Sequence, residues 1–283
     1  MVSSAKTINT KGDARARPPR RTARVRRPAR RTREARTAPD PRIAPPPLAE
    51  AAVTVTAPID LLNVYAEGQT RLRGLLTGLT DEALRAPSAL PGWTRGHVLT
   101  HMEGVGLALA RQARYALRGR TVEVYDGGRA SRDAAIEAGH RRSVEVLTAA
   151  LSAALDETEA SWAAVGPEDW GRPVSYRDGV LLDAGLAWWR ELEIHSTDAL
   201  LGRSTTDWSP EFCAHLVDYL GRRVPAGLHV TLTATDGPAT WTWGSGTPLH
   251  VEGATTDLAA WLAGRHPVGA LTGDPLPPLG NWP

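Results

Sequence analysis

Residues 181–189, LLDAGLAWW, constrain this chain more than any other segment, because they are apolar nearly all round a helix rather than along one stripe. A helix of that kind must be enclosed by other elements. The RELEIHSTD that follows places Glu191 and His195 four residues apart, on one helical face. A carboxylate and an imidazole beside an apolar run are costly to bury unless a partner compensates them. A second helical pattern, HVLTHMEGVGLALARQ at 97–112, carries the stripe Val98, Met102, Val105 and Leu109, and His101 lies within it. One carboxylate and two imidazoles converging in a helical bundle would make a three-ligand site with a free coordination position, which a catalytic divalent metal needs. Spacing alone leaves two plainer readings open: a surface Glu191–His195 ion pair, and His101 as a hydrogen-bonded core residue. No contiguous signature such as HExxH is present to decide between them.

The surrounding pattern predicts a mainly α protein, with an antiparallel four-helix bundle over 55–202 and a small α+β domain over 207–283. The first helix starts near Pro58 with the stripe Leu61, Leu62, Tyr65, Leu72, Leu75 and Leu76, and ends at Gly78 and LTDEAL. Thr94 is placed to cap a second helix running to about Leu117. A long third helix is expected from about Ser131 to Val165, and the fourth covers about 180–200. Beyond Gly202, SPEFCAHLVDYLGRRV reads as a helix. LHVTLTATDGPATWTWG reads as a hairpin turning at Asp236–Gly237–Pro238, PLHVEG as a third strand, and TTDLAAWLAG as a last helix capped by Thr or Asp. Trp188 and Trp189 beside the candidate ligands either wall a pocket or fill core.

Charge divides the chain in two. Residues 1–48 hold 12 Arg and 2 Lys against three acidic residues, a net +11, while the remainder carries a net −9. Almost no large apolar residue occurs there, so residues 1–50 are expected to be a disordered basic tail. Nucleic acid would be engaged only through that tail, which lacks stacking aromatics and precedes no recognition fold. No run is long and apolar enough to span a membrane. The lone Cys213 excludes an intramolecular disulfide framework and suits a cytoplasmic setting. It lies in an amphipathic helix, as a small core hydrophobe would.

In order, PSALPGWTRGHVLTH, VYDGG, RDAAIEAGHRR, WWRELEIHSTD and ATTDLAAWLAGR resemble successive blocks of the mycothiol-dependent maleylpyruvate isomerase family, from about Pro58 to the C-terminus. The resemblance implies a DinB-like bundle with a C-terminal α+β domain. It implies that His101, Glu191 and His195 ligate zinc (Zn2+) and that Arg265 is a substrate-site arginine. It further implies mycothiol as a borrowed thiol and a cis–trans isomerisation of maleylpyruvate to fumarylpyruvate, a step of gentisate breakdown. Such a reaction needs temporary single-bond character, which thiolate addition to the alkene provides before rotation and expulsion. A metal would keep the thiol deprotonated near neutral pH.

Around these residues, Asp198 is placed to orient an imidazole. His97 is a fourth ligand or a helix-start residue. Arg190 either holds a carboxylate or pairs with a neighbouring acid. Gly104 and Ser196 depart from the family pattern at the pocket wall, which makes metal and thiol use firmer than the substrate. A mycothiol S-transferase acting on electrophiles and a non-catalytic stress or scaffold protein are the alternatives.

Overall fold

The computed structural model describes residues 55–57 and 59–283. The expected basic tail, 1–50, and Pro58 lie outside the described residues. The described residues form one compact unit.

Helix α1 (Leu61–Leu76) is capped by the Asp60 carboxylate, which accepts from the Asn63 N–H at 3.2 Å. It buries Leu61, Tyr65, Leu72 and Leu76, whereas Leu62, turned about 100° from its neighbour, is exposed. LTDEAL does more than end this helix: the Thr80 hydroxyl caps a short α2 (Asp81–Arg85). Thr94 caps α3 (Arg95–Ala116) as expected, and His97 reciprocates, its Nδ1 accepting from the Thr94 N–H at 3.1 Å.

The expected third helix is two. α4 (Gly128–Gly139) stops at His140, and α5 (Val144–Ala163) starts afresh. Polar groups make the break stable: Ser143 accepts from the Val146 N–H, and Asp81 accepts from the Val144 N–H at 2.7 Å. The His140 carbonyl occupies the space beside Gly96, where a Cβ would come within 2.4 Å of it. Any side chain at position 96 would push the break off α3. α6 (Leu181–Asp198) completes the bundle, with Trp188 fully buried and Trp189 2% exposed. α3 packs on α5 and α6, and α1 packs on α6 and α5. Both tryptophans fill core.

In the C-terminal part, α7 (Pro210–Leu220) begins with a Ser209 cap and Pro210 in its first turn. β1 (Leu228–Ala234) and β2 (Thr240–Gly244) form the expected antiparallel pair. β3 (Thr247–Gly253) pairs with the far side of β1 and runs parallel to it, giving with β4 (Thr272–Gly273) the order β2-β1-β3-β4. The fourth strand has no counterpart in the sequence reading. Gly246, at φ +124°, makes the short crossing possible, since a Cβ there would strike the Gly227 carbonyl. The crossing sets Leu249 and Val251 beside Val230 and Leu232, all buried.

α8 (Thr255–Leu262) packs on α7, and its cap is Ala254 rather than Thr or Asp. The Asp236 carboxylate takes the Thr255 N–H from across the sheet, and Asp257 accepts from Val268 and Gly269 instead. The cap is supplied by tertiary contact, which local sequence does not encode. The described chain is mainly α with a small sheet, and none of its described helices is long and apolar enough to cross a membrane.

Candidate metal centre

α3 brings His101, and α6 brings Glu191 and His195, to one point at the end of the bundle core. The two Nε2 atoms lie 3.0 and 3.1 Å from the same oxygen, Glu191 Oε2. The rings meet edge-on, with centroids 4.7 Å apart. One ligand atom from each of the three residues lies within 4.8 Å of the others.

Burial works to raise the Glu191 pKa, but hydrogen bonds from the two imidazoles and their charge outweigh it and hold the carboxyl well below its usual range. Burial works against a charged His195 too, yet the contacts with Asp198 and Glu191 win and lift it to about 9. His101 is pulled down by burial, only partly opposed by Glu191.

The donor set is that of an open zinc-type site, two imidazole nitrogens and a carboxylate. His195 Nδ1 faces Asp198 Oδ2 at 2.9 Å, which fixes a proton on Nδ1 and leaves Nε2 to bind a metal. On His101, Arg132 Nη2 lies 3.2 Å from Nδ1. Metal binding at His101 Nε2 puts the ring proton on Nδ1, so this arginine must then move aside. With that adjustment the residues fit a divalent ion.

Behind His195 stands a second layer. Asp198 is wholly buried and accepts from Arg265 Nε at 3.0 Å and Nη2 at 2.5 Å. Arg265 Nη1 donates to the Ala263 carbonyl at 2.7 Å. Arg265 lines the cavity, where the resemblance expects a substrate-site arginine, but its donors are turned to Asp198 and the backbone. Burial would raise the Asp198 pKa, but the hydrogen bonds from His195 and Arg265 outweigh it and lower it.

A cavity of about 580 Å³ opens over the three ligands. Val105 and Leu109 form an apolar wall, while Arg129, Arg132, Arg177 and Arg190 make the rim strongly cationic. Arg190 is 6% exposed, and among the described residues no carboxylate pairs with it. Its Nη1 lies 3.0 Å from His215 Nε2, and its guanidinium sits 3.7 Å over the Tyr219 ring. Burial and the Arg190 charge push His215 down to about 3, so it stays neutral, accepting the Arg190 hydrogen bond without offsetting its charge. Arg190 is a buried cation held by a neutral imidazole and an aromatic face rather than by a carboxylate.

Two groups stand elsewhere. His97 caps α3 and stacks on His140, with the Trp93 ring contacting both His97 and His101. It takes no part in this centre. Cys213 is fully buried, and burial pushes its thiol up to about 12. Tyr125, pushed up to about 12 by burial, and Arg132 belong to the pocket but escape the sequence reading. Tyr125 lies in the loop VYDGG, which has no periodicity to show its direction.

Residues 65–200 match the family model described as the mycothiol maleylpyruvate isomerase N-terminal domain. The fold is similar to the crystal structure of the mycothiol-dependent maleylpyruvate isomerase, with a TM-score of 0.70 and 18% identity over 78% of this chain and 95% of that one. A histidine-to-alanine mutant of that enzyme aligns over the same shares at 0.69. No curated protein matches in sequence.

Proposed function

We propose that this protein, whose residues 65–200 match the family model described as the mycothiol maleylpyruvate isomerase N-terminal domain, is a zinc- and mycothiol-dependent isomerase that converts maleylpyruvate to fumarylpyruvate. The observation that carries it is the meeting, in one cavity, of a convergent His101–Glu191–His195 donor set and Arg190, which has no carboxylate partner among the described residues. When bound, zinc would supply the positive charge that keeps an external thiol deprotonated near neutral pH.

The chain's own residues do the rest. His101, Glu191 and His195 would hold the ion, and Asp198 fixes the His195 tautomer while Arg265 holds Asp198 in place. Arg190 accepts a substrate carboxylate in the fork geometry that suits a guanidinium. Val105 and Leu109 keep water from one face of the cavity. The thiol must come from outside, since the single cysteine is buried, with its thiol raised far above neutrality.

The test is turnover by the purified, zinc-loaded chain with mycothiol and maleylpyruvate. Fumarylpyruvate should form without net loss of mycothiol, and turnover should survive Cys213→Ser. Stoichiometric consumption of the thiol would identify a transferase instead. Turnover without mycothiol that Cys213→Ser abolishes would reject the mechanism.

A further inference from the structure

α4 is weakly anchored for a helix that reaches the metal centre. Of its 12 residues only Ile136 is buried. A cavity of about 400 Å³ lies between it and α3, bordered by Thr100, Val105 and Ile136. Yet α4 carries Arg129 and Arg132 on the wall of the main cavity, and Arg132 touches His101. What fixes the helix must therefore act near its ends.

At its C-terminal end, two imidazoles and a carboxylate meet. His97 comes from the first turn of α3, Glu137 from the last turn of α4, and His140 caps α4. The His97 and His140 rings stack at 3.5 Å and 18°. Glu137 lies 3.7 Å from His97 Nε2 through Oε1 and 3.9 Å from His140 Nε2 through Oε2. One ligand atom from each residue lies within 4.8 Å of the others. We propose that His97, Glu137 and His140 form a second site for a zinc-class divalent ion, which clips the end of α4 to the start of α3.

The geometry needs one ring rotation and one small shift. Bonds of about 2.1 Å in a tetrahedral site set donor atoms about 3.4 Å apart, so Glu137 must close in by only a few tenths of an ångström. Its side chain is 68% exposed and free to do so. The helix cap holds His97, and Gly96 seats the His140 backbone against α3. Because the two rings stack nearly parallel, the His140 ring must turn out of the stack about its side-chain torsions so that both in-plane lone pairs face one ion.

With an ion on Nε2, the His97 Nδ1 proton is donated to Thr94 Oγ1, 2.8 Å away. The contact from the Thr94 N–H to Nδ1 is the one given up. His140 Nε2 accepts from Arg141 Nε at 3.3 Å, so it carries a lone pair, and Arg141 is exposed and can leave. Two other nearby cations are neutralised, Arg142 by Glu103 and Arg85 by Asp81. Two imidazoles and a carboxylate favour zinc, nickel or copper over magnesium or calcium.

The test is titration of zinc chloride alone into the chelator-stripped full chain, read by metal analysis and by hydrogen exchange over residues 128–139. The wild type should bind two ions. Glu137→Gln and His140→Phe, the latter keeping the ring stack, should each bind one. The His101→Ala/His195→Ala double variant should retain one ion and show at least tenfold slower exchange in α4 when it binds. Failure of the first centre looks different: a single ion would be retained in the double variant and lost in His140→Phe, which supports the clip. Zinc content unchanged by both Glu137→Gln and His140→Phe would overturn it, as would unaltered α4 exchange on loading.

Discussion

Replacing Arg265 by alanine distinguishes a substrate clamp from a support for the metal centre. In the structure the guanidinium gives two donors to Asp198, at 3.0 and 2.5 Å, and one to the Ala263 carbonyl at 2.7 Å. Asp198 has no exposure of its own, so the variant leaves its carboxylate with His195 as its charged partner. Breaking a buried pair costs about 3–5 kcal/mol. The Arg265 side chain keeps 19% exposure, and water reaching it reduces the loss to about 2–3 kcal/mol. That should lower the melting temperature of the metal-free protein by roughly 5–10 °C.

A loosened Asp198 no longer holds His195 in position, so zinc affinity should fall about 10–100-fold. Arg265→Lys, which cannot make the paired contact, should lie between alanine and the wild type. Affinity is measured by competition with a chromophoric chelator, and stability by thermal melting. If Arg265→Ala keeps wild-type zinc affinity and melting temperature while turnover collapses, Arg265 acts on the substrate and the support described here is wrong.

Three further outcomes follow from the same geometry. His101→Ala, His195→Ala and Glu191→Gln should each lose one bound zinc per chain at unchanged helical content; full occupancy in two of the three would remove the centre. Arg190→Met should raise KM for a dicarboxylate at least tenfold with stability changed by no more than about 1 kcal/mol, because relief of the buried charge is offset by loss of the His215 hydrogen bond and the Tyr219 cation–π contact; a fall in melting temperature with unchanged KM would show the arginine to be structural. His215, lowered to about 3 by burial and Arg190, contributes stability that is complete above its unfolded value near 6.5 and lost as pH falls towards 3. Against His215→Phe, the wild type should therefore lose up to about 1.4 kcal/mol per pH unit across that window, and parallel denaturation curves from pH 7 to 4 would contradict it.

Local chemistry in the sequence was enough for the features that depend on neighbours along the chain. The all-round apolar run of α6 could only be buried, and a spacing of four put Glu191 and His195 on one face. Thr94 had the position and hydroxyl of a cap, and the apolar placement of Cys213 marked it as core.

What depended on distant groups was decided in three dimensions. The break at His140 exists because Gly96 admits its carbonyl and Asp81 takes the Val144 N–H. The parallel partner of β3 was fixed by burial of Leu249 and Val251 beside β1. Asp236 displaced the expected cap of α8. The state of each arginine was set the same way, since a guanidinium is a clamp or a support according to which carboxylate lies in reach. Arg265 found Asp198, 67 positions away in the chain, and Arg190 found none among the described residues. Charge compensation acts through space, and the order of residues carries it only after the helices have packed.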